Sequence, residues 1–317
     1  MYSELEDIEK TIYLNILKKS NDYRKLLEFE IFKVYRNKTS IFKINKILTN
    51  FIQNTQYDKI SRILPILVTS ETDKVHLFDL IKAKIQNGRL IYVPNPPEPV
   101  RIFNHLYNCL IEELGLNILE EISKKIHTYP KKNQCVKAFI HFQNEKKKDA
   151  VIRWFLGEEL SIQDKELLSF KDKIDNNKNS FEMIKIIGNY ADEVILLYID
   201  DIDLFYEKYE KDGELAEIKF LESLKRVHHD VKQLVLILIC LKESWPKILK
   251  LADESFRSIL GPEIEFYDLV QLKRLITKTM DKYWLKNGIK PPINQYFPIN
   301  EKFVEKLGDK SNSAGPP

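Results

Sequence analysis

EVILLYIDDIDLF, residues 193–205, is the stretch whose reading decides the fold. Its apolar run is continuous rather than alternating, which is what a strand buried on both faces requires. Such strands belong to parallel sheets covered by helices on both sides. The run ends by delivering Asp200 and Asp201 at its carboxyl end, with Asp203 and Leu204 just beyond. In open α/β sheets ligands sit outside the carboxyl ends of strands, so acids at this point could hold Mg²⁺ together with phosphates. A buried strand that simply leaves the core at an acidic turn explains the same residues without any ligand.

Outward from this strand, the same pattern recurs. RILPILVTS (62–70) is a short apolar run, followed by the polar patch SETDK and a helical pattern, VHLFDLIKAKIQN (75–87), which Gly88 is expected to end. RLIYVPN (89–95) reads as a second strand, closed by Pro94, Pro96, Pro97 and Pro99, with a helix VRIFNHLYNCLIEELG (100–115) after it. LVLILICL (234–241) is a fourth buried strand, preceded by the charged helix AEIKFLESLKRVHHDVKQ (216–233). Alternating strands and helices predict an α/β fold, a parallel sheet core flanked by helices. Apolar residues at threes and fours in 8–19, 23–35 and 41–52 predict helices before the core. Residues 117–189, and everything from Phe256 onward, also read as helical.

Only nine of the 317 residues are glycine, where average usage near 7% would give roughly 22. With 44% hydrophobic and 31% charged residues, the chain can bury a substantial core, which excludes disorder throughout. No run approaches the roughly 18 apolar residues of a membrane helix. The opening MYSELEDIEKTIY carries acids where a signal peptide carries a basic region. Cys109, Cys135 and Cys240 are widely separated, without metal or disulfide spacing. These features lead us to expect a cytoplasmic protein, intracellular and not secreted, with no membrane partner. A net charge of +3 does not by itself point to nucleic acid.

From about Arg62 to the end, the chain resembles AAA+ P-loop ATPases, most closely the initiator-like group related to origin-recognition ATPases. IDDIDLF resembles the Walker B segment of that group. The resemblance makes Asp200 the Mg²⁺ aspartate and puts Asp201 where a catalytic glutamate is usual. RWFLGEELSIQD (153–164) is similar to a tryptophan–glycine segment seen before Walker B in some of these proteins. LVLILICLKESW (234–245) is similar to the sensor 1 strand, with Ser244 as its polar tip. Arg257, in DESFRSILG, lies near the arginine-finger position, and 299–317 resembles the lid helix leading to sensor 2.

The departures are as informative. A phosphate loop needs G-x-x-x-x-G-K-[ST], because glycines let backbone N–H groups surround the phosphates while the hydroxyl binds Mg²⁺. Residues 70–76 contain no glycine, and no Gly-Lys pair occurs in the chain. Lys74 takes the place of the phosphate lysine and His76 follows as in K-[ST]-H-L, but Val75 replaces the hydroxyl residue. Glu71, Thr72 and Asp73 would crowd phosphates, and two of them repel negative charge. At the sensor 2 end, Gly315 is followed by Pro316 and Pro317 rather than by arginine. The N-terminus of the helix starting near Lys74 could still attract a phosphate weakly. Hydrolysis needs Mg²⁺ and positioned charge together, and only Asp200 and Asp201 supply that here.

The most basic stretch holds Lys124, Lys125, Lys131, Lys132, Lys146, Lys147, Lys148 and Arg153, with Phe139, His141 and Phe142 interleaved. It offers either a phosphate-contacting surface for DNA or RNA or a solvated helix face. His228 and His229 are adjacent and supply no second ligand on one helix face. Cys109 and Cys240 sit in apolar runs, as buried hydrophobes do.

The organisation expected is a helical N-terminal segment (1–60), an AAA+-like α/β core (61–255) and a helical lid (256–317). The resemblance, with its departures, implies a catalytically degenerate AAA+-like protein. It would act as a structural or regulatory subunit of a DNA-associated or ATPase-containing complex, beside an active AAA+ ATPase or a second copy of itself. No cofactor, or weakly bound ATP or ADP with Mg²⁺, is expected. The alternatives are a Mg–ATP-binding ATPase with an unusual phosphate loop and a DNA-binding module using the 124–153 stretch.

Overall fold

The structure, a computed structural model, describes residues 41–69, 71–95, 101–126, 133–170, 173–202, 213–266, 269–286, 288 and 290–292. Of 42–43, 71–73, 269–272, 274–276 and 279 it describes the backbone alone. The helices read before residue 41, the prolines at 96, 97 and 99, Lys131, Lys132, Asp203, Leu204 and the stretch 299–317 lie outside the described residues.

Four aliphatic runs form the strands β1 (Arg62–Val68), β2 (Gly88–Val93), β3 (Val194–Ile199) and β4 (Leu234–Leu241). With the short β5 (Ile264–Glu265) they make a five-stranded parallel sheet in the order β2-β3-β4-β1-β5. The protein is therefore α/β, as the sequence predicts. β5 was not expected, because its two residues sit in a stretch that reads as helical. The pairings run Arg62↔Val235 to Val68↔Leu241, Gly88↔Val194 to Val93↔Ile199 and Ile195↔Leu234 to Ile199↔Leu238. A parallel register of this kind brings the carboxyl ends of β1, β2, β3 and β4 to one edge of the sheet.

Helices fill the connections. α1 (Ile41–Asp58) precedes β1, and α2 (Glu71–Lys82) links β1 to β2. Between β2 and β3 lie α3 (Ile102–Lys125), α4 (Gln134–Phe142), α5 (Glu145–Phe155), α6 (Ile162–Leu168) and α7 (Asn177–Tyr190). α8 (Gly213–Asp230) precedes β4; α9 (Trp245–Leu251), α10 (Glu254–Ser258) and α11 (Leu269–Lys286) follow it. Alternation within the strands divides the core. Ile63, Ile91, Leu197, Leu236 and their like join one large cluster with α3–α10. Leu64, Leu90, Leu196 and Tyr198 are buried on the other face, where α1 and α2 lie. Two compact units are present, Asn45–Glu263 and Met1–Ile44 with Ile264–Pro317; the site described below belongs to the first.

Two local readings change. α2 starts at Glu71, not near Lys74, so only Thr69 and Ser70 separate it from β1. The sequence explains this: Ser70 with Asp73 three residues on is a capping pattern, and Glu71 and Asp73 suit the positive end of a helix. α2 ends at Lys82, and Gly88 opens β2 instead of closing the helix. A Cβ on Gly88 would lie 2.7 Å from Leu196 Cδ1 and 3.3 Å from Ile52 Cδ1, so glycine is there for a close approach between β2, β3 and α1. Gly115 does break α3 as read, with φ +67°.

Candidate functional site

The strand order reverses around β1: the chain leaves β1 for the far edge at β2, then returns through β3 and β4. Right-handed crossovers place the helix after β1 on one face and those after β2 and β3 on the other. The carboxyl ends at such a reversal are the position where open α/β sheets bind ligands. Here it brings together the start of α2, the end of β2 and the Asp200–Asp201 turn.

Lys74 lies in the first turn of α2 with its side chain only 2% exposed. A lysine so buried needs a partner, and its ammonium forms an ion pair with Asp201 Oδ1. The backbone of Asp201 is left-handed, φ +53°, a conformation that aspartate tolerates better than most side chains. Two further bonds pin it. Its carbonyl accepts from Asn95 Nδ2 at 3.1 Å, and its N–H donates to Asp200 Oδ1 at 2.8 Å.

Asp200 is 3% exposed. Its second oxygen, Oδ2, accepts from the Tyr92 hydroxyl at 2.7 Å. Burial pushes its carboxyl above the usual carboxylate range; the Tyr92 bond pulls back, the Asp201 charge pushes further and Lys74 pulls back again. The Tyr92 phenol is raised in turn, first by burial and then by donating to Asp200. Tyr198 is raised by burial and by the Asp200 charge, and its hydroxyl donates to the carbonyl of Lys74. Phe78 of α2 meets Tyr92 and Tyr198 edge-on, with ring centroids 5.3 Å away in each case.

The residues expected at this site are thus only partly gathered. Asp200, Asp201 and Lys74 meet. Val75 is 60% exposed, and His76 is also exposed on α2. Ser244 occupies the N-cap position of α9 without a side-chain cap bond; its N–H donates to Leu241 O at 3.0 Å. Arg257 is exposed on the five-residue α10. Among the described residues no ion pair or hydrogen bond joins Ser244 or Arg257 to Asp200, Asp201 or Lys74. Tyr92, Tyr198, Asn95 and Phe78 were missed in the sequence. Two tyrosines in otherwise aliphatic strands were the available signal, since Tyr92 and Tyr198 are register partners.

The described residues differ here from those of a Mg²⁺–triphosphate site. A two-residue β1–α2 link has too few N–H groups to surround phosphates. The lysine faces a carboxylate, and the more buried acid accepts from a phenol and an amide. Among the described residues no group of three or more His, Cys, Asp or Glu could hold a metal ion.

The tryptophan–glycine segment serves packing. Trp154 and Phe155 are buried, and Gly157, φ +75°, closes α5. There Gly157 N–H bonds Trp154 O at 3.1 Å and Glu158 N–H bonds Arg153 O at 2.9 Å, the Schellman pattern. On the basic stretch, Lys124 pairs with Glu120 at 3.5 Å, Lys125 with Asp192 at 2.7 Å and Arg153 with Asp164 at 2.9 Å. Lys146 is exposed, Lys147 lies 3.5 Å from His141 Nδ1, and Lys148 sits 5.4 Å from the centroid of the Phe142 ring. Phe139 and Phe142 belong to the core. His228 and His229 stack edge-to-face at 5.2 Å. All three cysteines are buried thiols, and burial lifts the Cys109 thiol to about 11 and the Cys135 thiol to about 12. No described helix is long and apolar enough to cross a membrane. Comparison with known proteins gives no matching protein-family model and no matching curated protein.

Proposed function

We propose that this chain is a catalytically degenerate AAA+-like protein that works in the cytoplasm as a structural or regulatory subunit of a DNA-associated or ATPase-containing complex. The observation that carries the reading is the Lys74–Asp201 ion pair. The lysine expected to face phosphate and the acid expected to serve hydrolysis neutralise one another. Support also comes from the parallel sheet with Asp200 and Asp201 at a strand's carboxyl end, and from the two-residue β1–α2 link. The partner is an active AAA+ ATPase or a second copy of this chain. Calorimetric titration with millimolar Mg–ATP tests the loss of nucleotide binding. No saturable heat is expected. Saturable binding that Asp200→Asn abolishes would instead identify an ATPase with an unusual phosphate loop.

Arg257 supplies the mechanism for such a subunit. Its exposed guanidinium is available to complete a neighbour's ATP site, since an arginine of this kind acts across a subunit boundary. Arg257→Ala should then slow the neighbour's ATP hydrolysis in the assembled complex, and an unchanged rate removes that role.

A further inference from the structure

Asp200 and Asp201 place two carboxylates side by side at the end of a buried strand, where charge must be compensated. The groups described against them are the Lys74 ammonium, the Tyr92 hydroxyl and the Asp201 amide. We infer that Lys74 is the permanent cation of this turn, doing from inside the fold the neutralising that a divalent ion would do. The inference rests on the degenerate-subunit reading and adds what the altered site is for: it staples α2 to the ends of β2 and β3.

Three sets of contacts carry it. The left-handed backbone of Asp201, pinned by Asn95 and Asp200, directs its carboxyl to the Lys74 ammonium. Asp200 has both oxygens engaged, one by the Tyr92 hydroxyl and one by the Asp201 amide. α2 is held to β3 a second time by Tyr198 O–H on the Lys74 carbonyl, and Phe78 packs on Tyr92 and Tyr198 beside it. Helix, strand ends and acid turn therefore form one connected unit. Lys74 is a positioning residue in it, acting on α2 through Asp201.

A thermal-unfolding cycle on the full chain tests this. Asp201→Asn removes the carboxylate paired with the buried Lys74 ammonium and should lower the midpoint by roughly 6–12 °C. Lys74→Met should cost less, because the Asp201 carboxyl is 26% exposed and can turn to water. The double variant, with both charges gone and the methionine filling the lysine stem's space, should unfold at a higher temperature than Asp201→Asn alone. An Asp201→Asn chain that does not fold while the double variant does supports the inference equally. Millimolar Mg²⁺ should leave the wild-type midpoint unmoved, since a ligand that binds only the folded state raises it. A double variant no more stable than Asp201→Asn, or a wild-type midpoint that climbs with Mg²⁺, overturns the inference. Failure of the cycle leaves the degenerate-subunit reading standing. A Mg–ATP heat that is lost in Asp200→Asn removes that reading and this inference with it.

Discussion

Charge is handled in opposite ways at the acid turn after β3 and along the basic stretch from α3 to α5. At the turn, Lys74 and Asp200 are almost wholly buried, and each charge has a specific protein partner. Along the stretch, Lys124, Lys125 and Arg153 have side chains 39–69% exposed; Glu120 and Asp192 are open to water too, while Asp164 is partly buried. Low dielectric makes a lost partner costly in the first region, and water makes it nearly free in the second. A motif in the sequence shows both as clusters of charge. Only burial separates an internal staple from a solvated face.

The contrast can be broken by matched deletions. Tyr92→Phe removes the side-chain donor that the described residues give the buried Asp200 carboxyl and should cost about 1.5–3 kcal/mol in denaturant unfolding. Lys125→Ala, which removes a pairing at 2.7 Å on the surface, should cost about 0–1 kcal/mol, less at high salt. Equal losses would dissolve the distinction.

A smaller effect sharpens it through pH. Asp200 is raised by burial above all, so it binds its proton more tightly folded than unfolded. Its stabilising contribution is present below the ordinary carboxylate pKa and lost as pH rises through the folded value. Asp164 is lowered, first by the Ser161 hydroxyl and then by Arg153. Its contribution is present above the ordinary pKa and lost as pH falls through the folded value. Lowering pH through the carboxylate range should therefore raise the wild-type midpoint relative to Asp200→Asn and lower it relative to Asp164→Asn. Differences of the same sign would contradict the two environments described.

Much of the sheet was legible because continuous runs of Val, Ile and Leu are hard to place anywhere except a doubly covered strand. LVLILICL matches β4 residue for residue. β5 escaped because two residues, Ile264 and Glu265, carry no periodicity against a helical background. Glu71–Asp73 were read as loop residues because they fall where a phosphate loop would lie; the same acids are favourable in the first turn of a helix. At the site, Asp200, Asp201 and Lys74 stood out as charges, but their neutralisation did not. The contacts that decide it join residues 127 and 108 positions apart, Lys74 to Asp201 and Tyr92 to Asp200, and only the register of β2 against β3 brings the latter into reach.

Hydrogen–deuterium exchange with and without Mg–ATP, read on peptides covering residues 69–75 and 200–201, reports directly on whether this turn is already complete. The expected result is the same exchange in both conditions, because Lys74, Tyr92 and the Asp201 amide already satisfy the acids. New protection confined to those two peptides on adding Mg–ATP would show a nucleotide entering between α2 and β3, and would contradict the internal staple.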